Sequence, residues 1–334
     1  MKTGVLLINL GTPDSPTTKG IRAFYKEFFS DKRVFDIPAL GLWALRNLII
    51  LPFRAPKTAK LYQEIWTEKG SPLMVYSNEL NNKVQTLLGE NFIVELGMGY
   101  GKPGIKNAIE NLQNSNVKKI IVIPLFPQYA SSTIGSVSEA VLTTLSKYEI
   151  IPPIELIHSY YNHPKFINAW VTIANNYELK NYDHILFSYH GIPERHIQKS
   201  SCNNYCLNPG CCSTINEKNQ FCYKAQCYAT TKGIANTLGL TESQYTIAFQ
   251  SRFGKDPWIQ PYLDEIIIEQ AKKGNKKLLV FSPSFVADCL ETIHEIGVEY
   301  NELFTENGGE KLQLVESLNS NDVWADCIAE LVLK

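Results

Sequence analysis

The chain has no apolar run long enough to cross a bilayer. The longest, "IPALGLWALRNLIILPF" at 37–53, is interrupted by Arg46 and Asn47 and bounded by Pro38 and Pro52. It also has no excess of positive charge. With 32 basic and 33 acidic residues the net charge is −1, so a phosphate-tracking surface is not expected and nucleic acid is not an expected partner. No G-x-G-x-x-G follows the first strand-like segment, where "NLGTPDSP" offers one glycine, and no G-x-x-x-x-G-K-[ST] occurs. The usual phosphate cradles of nucleotide enzymes therefore find no support. The start "MKTGVLLINLGTPDSP" lacks a secretory apolar region followed by a small-residue cleavage site, which gives the cytoplasm as the expected compartment.

What is present is an ordinary globular composition, 44% hydrophobic and 19% charged over 334 residues, enough for two lobes. Six of the eight cysteines crowd into 202–227, "CNNYCLNPGCCSTINEKNQFCYKAQC". Cytosolic thiols stay reduced, so metal explains them better than disulfides. The run 37–53 has two readings, a core helix or an apolar lip that touches a membrane or a greasy ligand. Trp43, Leu48, Ile49 and Ile50 are spaced too closely for one helix face to hide them all.

Short β-branched runs predict strands at 4–9, 93–97, 119–124, 184–189, 246–250 and 277–281, most leading into a turn and a helical pattern. That alternation indicates a parallel sheet covered by helices. The pattern also repeats. "LLINLGTP" and "LFSYHGIP" place Gly11 and Gly191, and Pro13 and Pro193, 180 residues apart, and "KKIIVIPLFP" at 118 loosely matches "KKLLVFSPSF" at 276. Two like-built lobes follow, with a boundary within 146–166. In open α/β sheets ligands lie beyond the carboxyl ends of strands, where Gly11, Ser131, His190 and Gln250 fall.

His190 at a strand end is placed for proton transfer near neutral pH. In "PSFVADCLETIHEIGVEY", 283–300, an α-helix would align Asp288, Glu291, Glu295 and Glu299 as an acidic ridge, with Cys289, Ile293, Ile296 and Tyr300 opposite. The ridge reads either as a solvated helix face or as a carboxylate line that attracts a divalent cation or relays protons.

Together "SYHGIPERH", "FQSRFGKDPWIQPYLDE", "FVADCLETIHEI", "FPQYASSTIGS" and "INLGTPDSP" resemble the ferrochelatase family, whose members insert ferrous iron into a porphyrin. The resemblance runs from residue 8 to about residue 300. It implies an α/β fold of two Rossmann-like lobes, each on a doubly wound, parallel four-stranded sheet. The lobes would be related by approximate internal duplication, with a cleft between them. One lobe would span 1–150 with the apolar lip at 37–53, the other 151–334 with a Cys-rich insertion at 200–228. The resemblance implies His190 and Glu291 as catalytic residues that also touch the Fe2+ substrate, with Asp288 and Glu295 on the acidic path. It implies Arg54, Tyr62, Ser71, Tyr100, Ser132 and Trp258 as porphyrin contacts, Arg54 near the propionates. Cys289, Leu10 and Gly99 depart from side chains that some members carry, so the metal shell would be small.

The implied reaction is Fe2+ insertion into protoporphyrin IX with release of two protons, the terminal step of haem biosynthesis, by a lyase. Coproporphyrin III as substrate, a non-catalytic two-lobed porphyrin or haem carrier, and a cobalt or nickel chelatase are the alternatives. Peripheral contact at the inner face of the membrane, or with the preceding porphyrin oxidase, and a monomer or homodimer complete the expectation. Some members carry a [2Fe–2S] cluster near the C-terminus; here Ser131 stands where that type has its distant cysteine. An internal cluster held by four of Cys202, Cys206, Cys211, Cys212, Cys222 and Cys227 is then expected, zinc being the alternative. Cys222 and Cys227, at the start of a helical pattern, are the firmest candidates.

Overall fold

The computed structural model describes residues 2–254 and 256–334. It divides into two compact units. The first runs to Phe126 and includes Ser131–His158 and Asn319–Lys334; the second comprises Pro127–Ala130 and Ser159–Leu318. The repeat gives a boundary within 146–166 and the resemblance one at 150/151; the units divide at 158/159, and the closing segment returns to the first. That segment carries the Asp322–Leu333 helix, which packs on the Pro72–Leu88 helix of the same unit.

The first unit holds β1 (Thr3–Gly11), β2 (Phe92–Tyr100), β3 (Lys119–Pro124) and β4 (Ile154–Leu156), ordered β2-β1-β3-β4. The second holds β5 (His184–His190), β6 (Tyr245–Gln250), β7 (Lys277–Phe281) and β8 (Lys311–Leu314), ordered β6-β5-β7-β8. Every pairing within these sheets is parallel. The same strand order in both units is the structural form of the repeat read from the sequence.

Parallel strands covered on both faces read as continuous apolar runs. Accordingly Val5, Leu6, Leu7 and Ile8 of β1, and Leu278, Leu279, Val280 and Phe281 of β7, are fully buried. On one face of the first sheet, Leu6 and Ile8 pack with Ile109 and Leu112 of the Ile105–Asn114 helix and Val141 of the Ser136–Leu145 helix. The second unit repeats this with Leu186, Ala248 and Val280 against Leu263 and Ile267 of the Leu263–Lys272 helix. The edge strands β4 and β8 have one sheet neighbour each. Their sequences, "IEL" and "KLQL", mix polar with apolar residues because only part of each is buried.

The two glycines of the repeat have a shared cause. Gly11 lies at φ +112°, and a Cβ there would sit 1.8 Å from the Tyr100 carbonyl oxygen at the end of β2. At Gly191 a Cβ would come within 2.9 Å of the Gln250 carbonyl oxygen at the end of β6. In each unit the central strand passes so close to its neighbour's last carbonyl that only glycine fits.

The run 37–53 is helical, as Ala39–Ala44 followed by a π-helical stretch, Leu45–Arg54. Ile50 and Leu51 are buried, but Leu40 is 80% exposed, Phe53 69% and Trp43 52%. The core-helix reading therefore fails for most of its large side chains. Among the described residues no helix is long and apolar enough to cross a membrane.

Candidate active site

In the second unit, β6, β5 and β7 are adjacent and their carboxyl ends deliver His190, Gln250 and the loop that leads from Phe281 to Glu291. His190, half-buried, closes β5. Its Nδ1 lies 2.6 Å from the carbonyl oxygen of Gly191. A carbonyl can only accept, so Nδ1 carries a proton, and in the neutral ring the lone pair is on Nε2. The imidazole is flanked by Trp258 and Phe285, with ring centroids at 6.4 and 6.3 Å. Trp258 is fixed by its indole N–H, which donates to the Phe253 carbonyl at 2.8 Å.

Glu291–Tyr300 is π-helical, not α-helical. π-Helical turns occur frequently at functional sites, since the wider turn displaces side chains from their α-helical positions. The expected ridge is divided as a result. Asp288 lies before the helix and is buried; its Oδ1 accepts from the Thr292 hydroxyl at 3.2 Å and the Ser317 N–H at 3.1 Å. Glu299 is largely exposed and its carboxylate lies 3.5 Å from His294 Nδ1. Glu295 points to the strand ends. Its two oxygens accept from the Ser251 hydroxyl at 2.7 and 2.9 Å, and Gln250 Nε2 lies 3.4 Å away. Gln250 in turn accepts from the Ser188 hydroxyl at 2.5 Å.

Burial raises the Glu295 carboxyl above its ordinary value, while the Ser251 hydroxyl and the His190 charge pull the other way and Glu291 pushes it up. Glu295 is thus near enough to His190 and Glu291 to feel their charges. Burial and then the Glu291 carboxylate keep the Cys289 thiol protonated. Ser251 sits at φ +66°, in the left-handed region that non-glycine residues seldom adopt. Sequence reading passed over Ser251; its position just after Gln250 at a strand end is the signal that could have found it.

In the first unit the expected porphyrin contacts are spread over several elements. Arg54 ends the π-helical stretch and is exposed. Tyr62 is buried against Trp66 with ring centroids 6.2 Å apart. Ser71, buried before the Pro72–Leu88 helix, accepts from the Thr12 hydroxyl at 2.8 Å, just past the end of β1. Tyr100 ends β2 among Phe24 and Phe28, and its hydroxyl donates to Asp31 at 2.7 Å. Burial pushes that phenol well above its ordinary range. Ser132 is half-buried in the π-helical turn Ser131–Gly135.

Cys202, Cys206, Cys211, Cys212, Cys222 and Cys227 are free thiols. Cys206, Cys212 and Cys222 interact through their thiols, and Cys211 Sγ lies 3.6 Å from Cys212 Sγ. The Cys212 thiol, with backbone N–H groups of the following helix, lowers Cys222 to about 6, and burial raises Cys206 to about 11. Cys202 is exposed. Cys227 is fully buried and faces Tyr223. Cys222 is the extended N-cap of the Tyr223–Thr237 helix and Cys227 lies within it, near enough to feel the Cys222 charge. Among the described residues no three His, Cys, Asp or Glu side chains are arranged around one metal-ion position.

A family model described as ferrochelatase matches residues 2–334. A ferrochelatase of Legionella pneumophila is 47% identical over 332 residues, covering 99% of each chain. One from Coxiella burnetii is 46% identical over 335 residues, covering 100% of this chain and 94% of the relative. Among solved structures, SirB from Bacillus subtilis with Fe3+ aligns with a TM-score of 0.57 at 10% identity, over 100% of this chain and 95% of that one. The sirohydrochlorin chelatase SirB of Bacillus subtilis subspecies spizizenii, in complex with cobalt, aligns with a TM-score of 0.52 at 10% identity, over 99% and 93%. At that identity the likeness is one of fold.

Proposed function

The chain belongs to the ferrochelatase family, and as a lyase of haem synthesis it inserts ferrous iron into protoporphyrin; we propose that His190 Nε2 is the group that accepts a pyrrole proton. A free porphyrin must lose two N–H protons and tilt its nitrogen lone pairs out of the ring plane before the metal can enter. Binding the bent ring more tightly than the flat one lowers that barrier, since only differential binding accelerates a step. The observation that carries the proposal is the tether of Nδ1–H to the Gly191 carbonyl at 2.6 Å. It leaves Nε2 as a base of fixed direction, on an imidazole to which the Trp258 and Phe285 rings are tilted by 51° and 56°.

Glu295, next to that imidazole, favours the imidazolium once formed and is suited to pass the proton on, because burial brings its own affinity for protons closer to neutral. Glu291 stands at the start of the same π-helical stretch and offsets the charge of the incoming iron. Asp288 supports this segment through Thr292 and Ser317. Arg54, Tyr62, Ser71, Tyr100, Ser132 and Trp258 are the side chains we assign to the porphyrin. The exposed apolar segment Leu40–Phe53 suits protoporphyrin better than the more acidic coproporphyrin III. Each large side chain left in water forgoes about 1.5–3 kcal/mol, so a surface holding Leu40, Trp43, Leu48, Ile49 and Phe53 in the open is a contact surface. We assign it to the inner face of the membrane, which keeps the enzyme cytoplasmic and peripheral.

Cys206, Cys211, Cys212 and Cys222 fit a [2Fe–2S] cluster in their donor chemistry: four soft ligands, one of them readily ionised. A two-iron cluster takes its thiolates in two pairs, so it does not require all four about one point. There it would supply a structural tie or a redox response, and no part of iron insertion needs it.

His190→Ala tests the main proposal. Turnover should fall by roughly 10²–10⁴-fold while porphyrin still binds, read by fluorescence titration. Turnover within a few-fold of the unmodified enzyme would remove His190 as the acceptor.

A further inference from the structure

The last peptide of β5 is held from both sides. Gly191 N–H donates to the Gln250 carbonyl of β6 at 2.8 Å. In an extended chain the carbonyl of the preceding residue points the opposite way, here towards β7. The β5–β7 pairing, however, ends at Phe187 with Phe281. Three residues further on, the His190 carbonyl has outrun its sheet neighbour, and a buried acceptor needs a donor.

The donor is Tyr223. Its hydroxyl donates to the His190 carbonyl oxygen at 2.9 Å. Tyr223 is the first residue of the Tyr223–Thr237 helix and is buried. Burial keeps the phenol protonated, with the Cys227 thiol and the Ser284 hydroxyl beside it. The same helix is tied to the preceding strand residue by a Thr231–Tyr189 hydroxyl pair at 2.8 Å. Two successive residues of β5 are therefore fastened to one helix, one through its side chain and one through its backbone.

We infer that Tyr223 is a positioning residue for iron insertion: its hydroxyl fixes the His190–Gly191 peptide and so the direction of the His190 imidazole. The inference rests on the reading of His190 as proton acceptor. The imidazole is aimed through the Gly191 carbonyl, and that carbonyl follows the peptide that Tyr223 and Gln250 clamp. Without the phenol hydroxyl the peptide is held only from the β6 side and can rotate. A base displaced by a fraction of an ångström to an ångström loses turnover without losing substrate affinity.

Tyr223→Phe keeps the ring and removes only the donor. The expected result is a kcat lower by roughly ten- to a hundredfold, with the porphyrin KM within twofold and faster hydrogen exchange at the Gly191 amide. An unchanged kcat overturns the inference whether or not the amide exchanges faster, and a KM that rises in step with the loss of kcat assigns Tyr223 to substrate binding instead. His190→Ala, measured alongside, separates the two claims. Full turnover in His190→Ala sinks the proton-acceptor reading, whereas full turnover in Tyr223→Phe alone sinks only the positioning role.

Discussion

Glu295 shows how one carboxyl can be held between two demands. Burial raises its proton affinity, and the Ser251 hydroxyl, aimed at both oxygens, restrains that rise. A carboxyl whose folded pKa lies above its unfolded value binds more protons folded than unfolded within that window. It therefore costs stability as pH rises through the window, and the full cost is present above it. Glu295→Gln removes that cost. The variant should melt at a higher temperature than the unmodified protein at pH 8, and the difference should vanish in acid, below the ordinary carboxylate range, where both states of the unmodified protein are protonated. The same variant should lose activity, by roughly 10²-fold. A lower melting temperature at pH 8 with full activity would return Glu295 to a structural role. At this scale the sequence was informative about residue type and position but not about partners. His190 stood out as a candidate because strand ends in such sheets face the ligand side and histidine exchanges protons near neutral pH. Ser251 and Tyr223 were not, since a hydroxyl's role depends on which atom it faces across distant segments of chain.

At the scale of elements, legibility followed hydrophobic continuity. β1 and β7, buried on both faces, stood out as apolar runs; β4 and β8, half-exposed edges of three and four residues, carried no such pattern. The 283–300 segment has α-helical spacing of acidic residues, yet its ordered part is π-helical from Glu291 and its first residues are loop. Periodicity cannot separate those two windings over so short a stretch, and the difference decides that Asp288 and Glu295 face different partners. The apolar segment Leu40–Phe53 was legible as too crowded for one face, and its exposure bears on a measurement. Trp43→Gln combined with Ile49→Gln should weaken sedimentation of the enzyme with anionic lipid vesicles severalfold and raise the apparent KM for protoporphyrin. Unchanged partitioning would deny the segment a membrane role.

The cysteine segment belongs to the same scale. Crowding in the sequence pointed to a shared ligand set, but which thiols meet is decided by the turn between Cys202 and Cys222 and by the first turn of the helix that follows. Protein prepared without oxygen should be coloured, with about two irons and two acid-labile sulfides per chain. Cys222→Ser should bleach it, and Cys227→Ser, whose thiol faces Tyr223 instead, should leave the colour in place. Colourless protein holding stoichiometric zinc would refute the cluster and leave the catalytic assignment standing.

Across the whole molecule, the repeat is the feature that links sequence to fold. Gly11 and Gly191 recur because each central strand passes the last carbonyl of its neighbour at the same place in its sheet. The strand order repeats with them. What the repeat could not reveal is how the halves have diverged. The first unit ends its central strand on Gly11 and surrounds it with hydroxyls and aromatic rings, whereas the second ends on His190 beside carboxylates. The proposed proton acceptor thus belongs to the second unit. The exposed apolar segment lies in the first unit.

The most direct test of iron insertion is anaerobic incubation of the purified enzyme with ferrous iron and either protoporphyrin IX or coproporphyrin III, followed through the Soret and visible bands. The four-banded free-porphyrin spectrum should give way to the two-banded metalloporphyrin spectrum with catalytic turnover, faster for protoporphyrin. Tight porphyrin binding with no spectral conversion of either compound would contradict it and leave a carrier in place of an enzyme.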